Sequence, residues 1–260
     1  MEIKQTIRAR VQAGLTSFGL SVVLPIPSVI ELAVKAGYDF VRIDCEHSYM
    51  SPVELRGLLS TARLLGIPCQ VRTPDTANLT PLLGQEPAAI MIPHVDSAAY
   101  ARQIVDSCKF APLGTRGMDA GTRSIRCGGM SRSEYMSYAA RAQDVIVQIE
   151  SRSAIQYIDE ILSVEGVDMV ATGRADLSQE LGVAGQKDHP DVIEAENFII
   201  QKTMEYGKIP TIAADTAQRV QQLYEMGVRC FLVGKDENLL DKALKKNLRE
   251  KACVNYGPVS

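Results

Sequence analysis

The chain carries no CxxC cysteine pair, no excess of basic charge, no GK[ST] phosphate loop and no apolar run approaching membrane-spanning length. Each absence removes a class of function. A net charge of -3 argues against a polyanionic partner such as nucleic acid. Without a spanning run there is no integral membrane protein of the helical kind, and the mixed polar and charged residues from Met1 to Arg10 do not resemble a secretory leader. The six cysteines, several inside apolar runs, are expected as buried free thiols, so the chain is expected in the cytoplasm. Only three histidines (His47, His94, His189) are available, too few for a comfortable three-histidine zinc site.

What is present is a repeated unit. Apolar, β-branched runs end in polar residues, and helical patterns follow them. The strand-like runs are Phe18–Val23, Phe40–Ile43, Pro68–Val71, Ala89–Ile92, Asp144–Ile149, Val167–Ala171, Ile209–Ala213 and Val228–Val233. Ser51-Pro52-Val53-Glu54 predicts a capped helix start. The stretch from Asn238 to Lys251 predicts a closing helix and Met1 to Gly14 an opening one. Eight strand-and-helix units in 260 residues predict one (β/α)₈ barrel domain over the whole chain. An open doubly wound sheet needs a glycine-rich turn after its first strand, and Val22 to Pro27 has no glycine. Two stretches fall outside the repeat, 111–132 and 182–190, and are expected as long loops.

In such a barrel the active site lies at the C-terminal ends of the strands. Those ends supply Asp44, Glu46 and His47, then Arg72, then Gln148 and Glu150, then Asp176. Glu150 and Asp176 either hold a divalent cation with oxygen ligands or answer nearby arginines in salt bridges. The spacing of Asp44 and His47 allows the carboxylate to meet the imidazole, fixing its tautomer, and equally allows His47 to cap a helix. His94 poses the same question, whereas His189 is expected to be solvated. Arg72 suits a substrate carboxylate or a developing oxyanion. Arg116, Arg123 and Arg126 either serve surface and subunit contacts or close over an anionic substrate.

The segments DCEHS (44–48), QVRTP (70–74), APLGTRG (111–117), VQIESRSA (147–154), VEGVDMVATGRADLSQELG (164–182) and VGKD (233–236) together resemble the HpcH/HpaI-type aldolase family of metal-dependent, pyruvate-utilising enzymes. The resemblance implies Mg²⁺, Mn²⁺ or Co²⁺ held by Glu150 and Asp176. It implies substrate contacts from Arg72, Gln148 and Ala175, and a base, His47, paired with Asp44. It also implies a homo-oligomer, a hexameric trimer of dimers that exchange their last helix. The chain departs from the family pattern at Cys45, where glycine is usual, and at Arg174, where proline is usual. Arg174 is either a solvent-facing side chain or an added contact for an anionic substrate.

The expected activity is cleavage of a 4-hydroxy-2-oxo acid to pyruvate and an aldehyde. The alternatives are a carbon–carbon bond-forming enzyme using oxaloacetate, of the citrate-synthase-like kind, and a non-catalytic barrel with a relict site.

Overall fold

A computed structural model describes residues 6–77, 79–118 and 122–251, and its strands close into a parallel eight-stranded barrel. The strands are β1 (Ser17–Val22), β2 (Phe40–Asp44), β3 (Cys69–Arg72), β4 (Ala89–Ile92), β5 (Asp144–Ile149), β6 (Met169–Thr172), β7 (Ile209–Ala213) and β8 (Cys230–Lys235). Helix α1 (Ile7–Gln12) precedes β1, and α2 (Pro27–Ala36), α3 (Pro52–Leu65), α4 (Leu79–Leu83) and α5 (Ala98–Cys108) follow the first four strands. Helices α6 (Arg123–Arg126) and α7 (Arg132–Ala142) lie before β5. After β5 come α8 (Arg152–Gln156) and α9 (Ile158–Ser163), and after β6 come α10 (Arg174–Glu180) and α11 (Pro190–Glu205). Helices α12 (Ala217–Glu225) and α13 (Asp236–Lys251) complete the order. The opening-helix expectation falls partly on residues 1–5, outside the described residues.

Alternation along each strand sorts two cores. Outward residues such as Val41, Ile43, Val71, Ile90, Val147 and Val170 pack under the helices. Inward residues Phe40, Ala89, Met91, Ile146, Met169, Ala171, Ile209 and Cys230 fill the barrel, and Ile7 of α1 packs against them. Phe40 explains the glycine opposite it: a Cβ on Gly19 would lie 2.2 Å from its ring. Burying this much apolar side chain is the main stabilising contribution, at about 25 cal/mol per Å² removed from water.

Polar ties fix both ends. Near the strand N-termini, Arg8 contacts Asp144 at 3.1 Å and Asp168 at 2.7 Å, and Lys109 meets Asp168 at 2.7 Å. At the other end the buried Asp236 carboxylate, opening α13, accepts from Val23 N at 3.1 Å and Leu24 N at 3.0 Å. This clasp holds the chain leaving β1 against the end of β8, where the barrel closes. The expected capping box at Ser51 and Glu54 is present, with Pro52 opening α3 and Gly66 ending it at φ +69°.

Two loop expectations are corrected. The stretch 111–132 contains α6 and leads into α7, which opens on its own Ser131–Glu134 capping box. Within it Arg116 donates to Gln143 Oε1 at 2.7 Å and to Tyr135 Oη at 2.9 Å, with its guanidinium 4.5 Å from the Phe110 ring centre. That docks the loop rather than presenting an anion clamp; Arg123 and Arg126 are exposed on α6. The stretch 182–190 runs into α11, and His189 is its N-cap, its Nδ1 accepting from Asp191 N at 3.3 Å. It is a cap, not a merely solvated side chain.

Candidate active site

The C-terminal ends of β2 to β6 bring a polar cluster together. Asp44 and Arg72 are register partners on β2 and β3. The pairing is two-pronged: Arg72 Nε donates to Asp44 Oδ1 at 3.0 Å and Nη2 to Oδ2 at 2.5 Å. Asp44 Oδ1 also accepts from the backbone of Glu46 at 3.0 Å and His47 at 3.3 Å. Burial alone would raise the Asp44 carboxyl, but the Arg72 hydrogen bonds and charge, with those amides, outweigh it and hold it low. The same partners, led by Asp44 and followed by Glu46 and Glu150, raise Arg72 against the opposing effect of burial.

This geometry corrects the expected Asp44–His47 pairing. The carboxylate engages the His47 backbone, and the imidazole instead lies 3.6 Å from Glu46 Oε2, with the side chain 59% exposed. The physical reason is competition. A guanidinium held at matching register on the next strand offers a bidentate, charge-assisted pair that a mobile imidazole does not match. Cys45, beside it, packs its thiol against the outer core, and burial pushes that thiol up to about 11.

Arg72 has a third direction. Nη1 lies 3.0 Å from Glu46 Oε2 and 3.5 Å from Gln148 Oε1. The Glu46 contact lacks hydrogen-bond alignment, and Oε2 is buried without a donor. Gln148 in turn donates through Nε2 to Glu150 Oε2. Glu150 Oε1 accepts from His94 N at 2.8 Å and lies 3.0 Å from His94 Nδ1, and His94 Nε2 lies 3.3 Å from Glu46 Oε1. The His94 imidazole therefore bridges two carboxylates from a backbone with φ +53°, a conformation that costs a non-glycine residue about 1–2 kcal/mol. Glu46 and His94 are the residues whose placement here exceeds what the sequence reading assigned them.

Gly173, just after β6, leaves the room that Glu150 occupies: a Cβ there would come 2.1 Å from Glu150 Oε2 and 2.8 Å from Gln148 Nε2. Beyond it, Ala175 and Asp176 form the first turn of α10, whose N-cap Gly173 makes no side-chain cap. Burial pushes the Glu150 carboxyl up to about 7; His94 opposes this, and the Asp176 and Glu46 charges add to it.

The test for a divalent cation is the donor set. Glu150 and Asp176 repel one another, Glu46 holds an oxygen with no donor, and all the ligand atoms are hard oxygens suited to Mg²⁺ or Mn²⁺. These residues fit such an ion. Among the described residues no group of three or more His, Cys, Asp or Glu is arranged to hold a metal.

Arg174 takes neither of its expected places. Its side chain is 9% exposed, its Nη1 lies 2.7 Å from Asp188, its Nε 3.7 Å from the buried Glu196 and its Nη2 4.0 Å from Asp215. Glu196 also accepts from Arg219 at 2.6 Å and Thr172 at 2.8 Å. These carboxylates tie α10, α11 and the turn after β7 together. The guanidinium is neither solvated nor directed at the Glu150 cluster.

The family model described as HpcH/HpaI aldolase/citrate lyase matches residues 18–243. The chain is 33% identical over 245 residues to a hydroxypyruvate/pyruvate aldolase of Pseudomonas aeruginosa, covering 92% of this chain and 90% of that one. It is 33% identical over 247 residues to a 4-hydroxy-2-oxo-heptane-1,7-dioate aldolase of Escherichia coli, covering 93% and 92%. The crystal structure of an HpcH/HpaI aldolase from Desulfitobacterium hafniense superposes with a TM-score of 0.90 at 28% identity, covering 98% of this chain and all of that one.

Proposed function

The chain belongs to the HpcH/HpaI aldolase/citrate lyase family, and on that premise we propose that it is a carbon–carbon lyase of the metal-dependent, class II kind. The reaction is reversible cleavage of a 4-hydroxy-2-oxo acid to pyruvate and an aldehyde. The observation that carries this reading is Arg72: two of its nitrogens are locked on Asp44, and the third faces Gln148 and Glu46 beside Glu150.

Glu150 and Asp176 would hold the cation, Mg²⁺, Mn²⁺ or Co²⁺. When bound it acts as a Lewis acid on the 2-oxo group. Arg72 Nη1 is the donor presented to that oxygen as negative charge grows, held in place beforehand so that little reorganisation is needed. Gln148 orients both Arg72 and Glu150. The backbone of Ala175, in the uncapped first turn of α10, faces the substrate carboxylate, where the helix dipole favours negative charge. His47, exposed at the mouth, moves the proton to or from the 4-hydroxyl, with Glu46 beside its Nε2.

An exposed face of α13 supports a homo-oligomer. Leu239, Leu240, Leu244 and Leu248 are 43%, 50%, 59% and 45% exposed, and the last three recur at every fourth residue. Such a stripe on an isolated chain calls for a partner face. Another copy covers it in a homo-oligomer, a trimer of dimers that exchange this helix. No helix among the described residues is long and apolar enough to cross a membrane, and we place the protein in the cytoplasm, where its free thiols stay reduced.

Deuterium exchange into the pyruvate methyl group, followed by NMR with Mg²⁺ or Mn²⁺ and again with EDTA, tests the reaction without naming the aldehyde. Metal-dependent exchange is expected, and its loss in Glu150→Ala. Exchange that survives that substitution would overturn the site assignment. Turnover of oxaloacetate in the absence of pyruvate exchange would favour a bond-forming enzyme instead.

A further inference from the structure

The barrel interior holds a second cation that this chemistry leaves unused. Arg42 precedes Asp44 by two residues on β2, so its side chain enters the same inward face one rung nearer the strand's N-terminal end. It is 6% exposed. Its Nε donates to Gln70 Oε1 at 2.9 Å, and Nη2 donates to Thr211 Oγ1 at 3.0 Å, so the guanidinium reaches from β2 across to β7. Both acceptors are neutral. Among the described residues no carboxylate lies within ion-pair distance of it; Asp44, the nearest in sequence, is paired with Arg72. Accepting from Arg42 also fixes the Gln70 amide, whose Nε2 is left buried without an acceptor.

A buried guanidinium with no counter-ion is an expensive choice, since an apolar side chain of similar volume is often neutral or stabilising at such a site. Burial lowers its pKa to about 10, which leaves it charged at neutral pH, and the groups that act on it are Cys230, Arg72 and Asp44. The rung above it is where the negative charge gathers. Asp44, Glu46, Glu150 and Asp176, when ionised, exceed what Arg72 and one divalent cation neutralise. An anionic 2-oxo acid adds to that excess on binding, and more as charge moves onto its oxo group. Arg42 closes the difference from below.

Resting on the function proposed above, we infer that Arg42 is a positioning residue acting through its field: its carboxylate-free charge helps the site accept an anionic 2-oxo acid and at the same time loosens its hold on the free cation. The two effects have opposite signs. That separates them from a structural role, which would weaken both.

The test uses the full chain with Arg42→Met, Arg42→Gln and Arg42→Lys. Mn²⁺ affinity is titrated by EPR without substrate, and pyruvate affinity by calorimetry at saturating Mn²⁺. In the neutral variants Mn²⁺ is expected to bind more tightly and pyruvate more weakly, each by roughly threefold to tenfold for one charge a rung away. Arg42→Lys keeps both near the wild-type values. Affinities that move in the same direction, or that do not move in a cooperatively folded variant, overturn the inference. If Arg42→Met does not fold, Arg42→Gln supplies the neutral side chain with an amide still able to bond Thr211. A wild-type chain that binds neither Mn²⁺ nor pyruvate would refute the reading of the site itself, an outcome visible before any variant is made.

Discussion

His94 holds Glu150 twice, through its backbone N–H at 2.8 Å and its Nδ1 at 3.0 Å, from a left-handed backbone that glycine would adopt without cost. Strain kept beside a candidate ligand is a common companion of function. His94→Gly is therefore expected to resist urea better than His94→Ala by about 1 kcal/mol, because only the second keeps a Cβ at positive φ. Both lose the imidazole and share its effect on the site. Equal midpoints would refute the strain.

Gly173 gives a steric prediction. Its φ of -121° suits any residue, so the obstacle to a side chain is steric: the Glu150 carboxylate first, then the Gln148 amide. Gly173→Ala is expected to displace Glu150 and reduce metal affinity by roughly 10- to 100-fold, the range for disturbing the groups that orient a ligand. Circular dichroism should show the barrel intact.

Cation binding should depend on pH. The Glu150 carboxyl sits at about 7, raised chiefly by burial, so near neutrality binding a cation must release its proton. Mn²⁺ affinity is expected to rise as pH increases through about 7 and then level off. An affinity unchanged across that window would show that Glu150 is not displaced from its proton by the ion.

Stability without metal carries a separate pH signature at the other end of the barrel. Asp144 is pushed up to about 7, first by burial and then by Asp168, with Arg8 and Lys109 opposing. Its folded-state pKa lies above the unfolded value of about 3.9, so the folded protein retains a proton that the unfolded chain has lost. This contribution is fully present below the unfolded value and is lost as pH rises through about 7. Asp144→Asn should flatten that decline in the denaturation midpoint.

Arg174→Ala tests whether this side chain serves substrate or fold. With Glu196 buried between Arg174 and Arg219, losing one cation is expected to cost about 1–3 kcal/mol of stability, with Arg219 still paired. The preference among 2-oxo acids should stay unchanged. A change in substrate preference at unaltered stability would reverse the assignment.

The barrel was legible because its strands are short apolar runs that end in ionisable residues, a pattern local enough to read one residue at a time. Asp44, Arg72, Gln148 and Glu150 stood out for the same reason. Helix α11 is not legible in the local pattern, although Pro190 opens it and Val192, Glu196, Ile199, Ile200 and Thr203 make its buried face. The polar run before it and the glutamate in that face hid the period. Helix α7 buries Tyr135, Ala139 and Ala142, too slight a stripe to mark it, though its capping box was readable. The partner of Asp44 depended on β2–β3 register, and that of Arg174 on where α11 would lie. Neither is written in local spacing.

The Asp236 clasp has a mechanical consequence. The residue that grips Val23 and Leu24 is the first of the helix that carries the exposed leucine stripe. A displacement of that helix would pass through one carboxylate to the segment following β1, at the rim of the mouth. Were the proposed assembly to move this helix, the entrance would move with it.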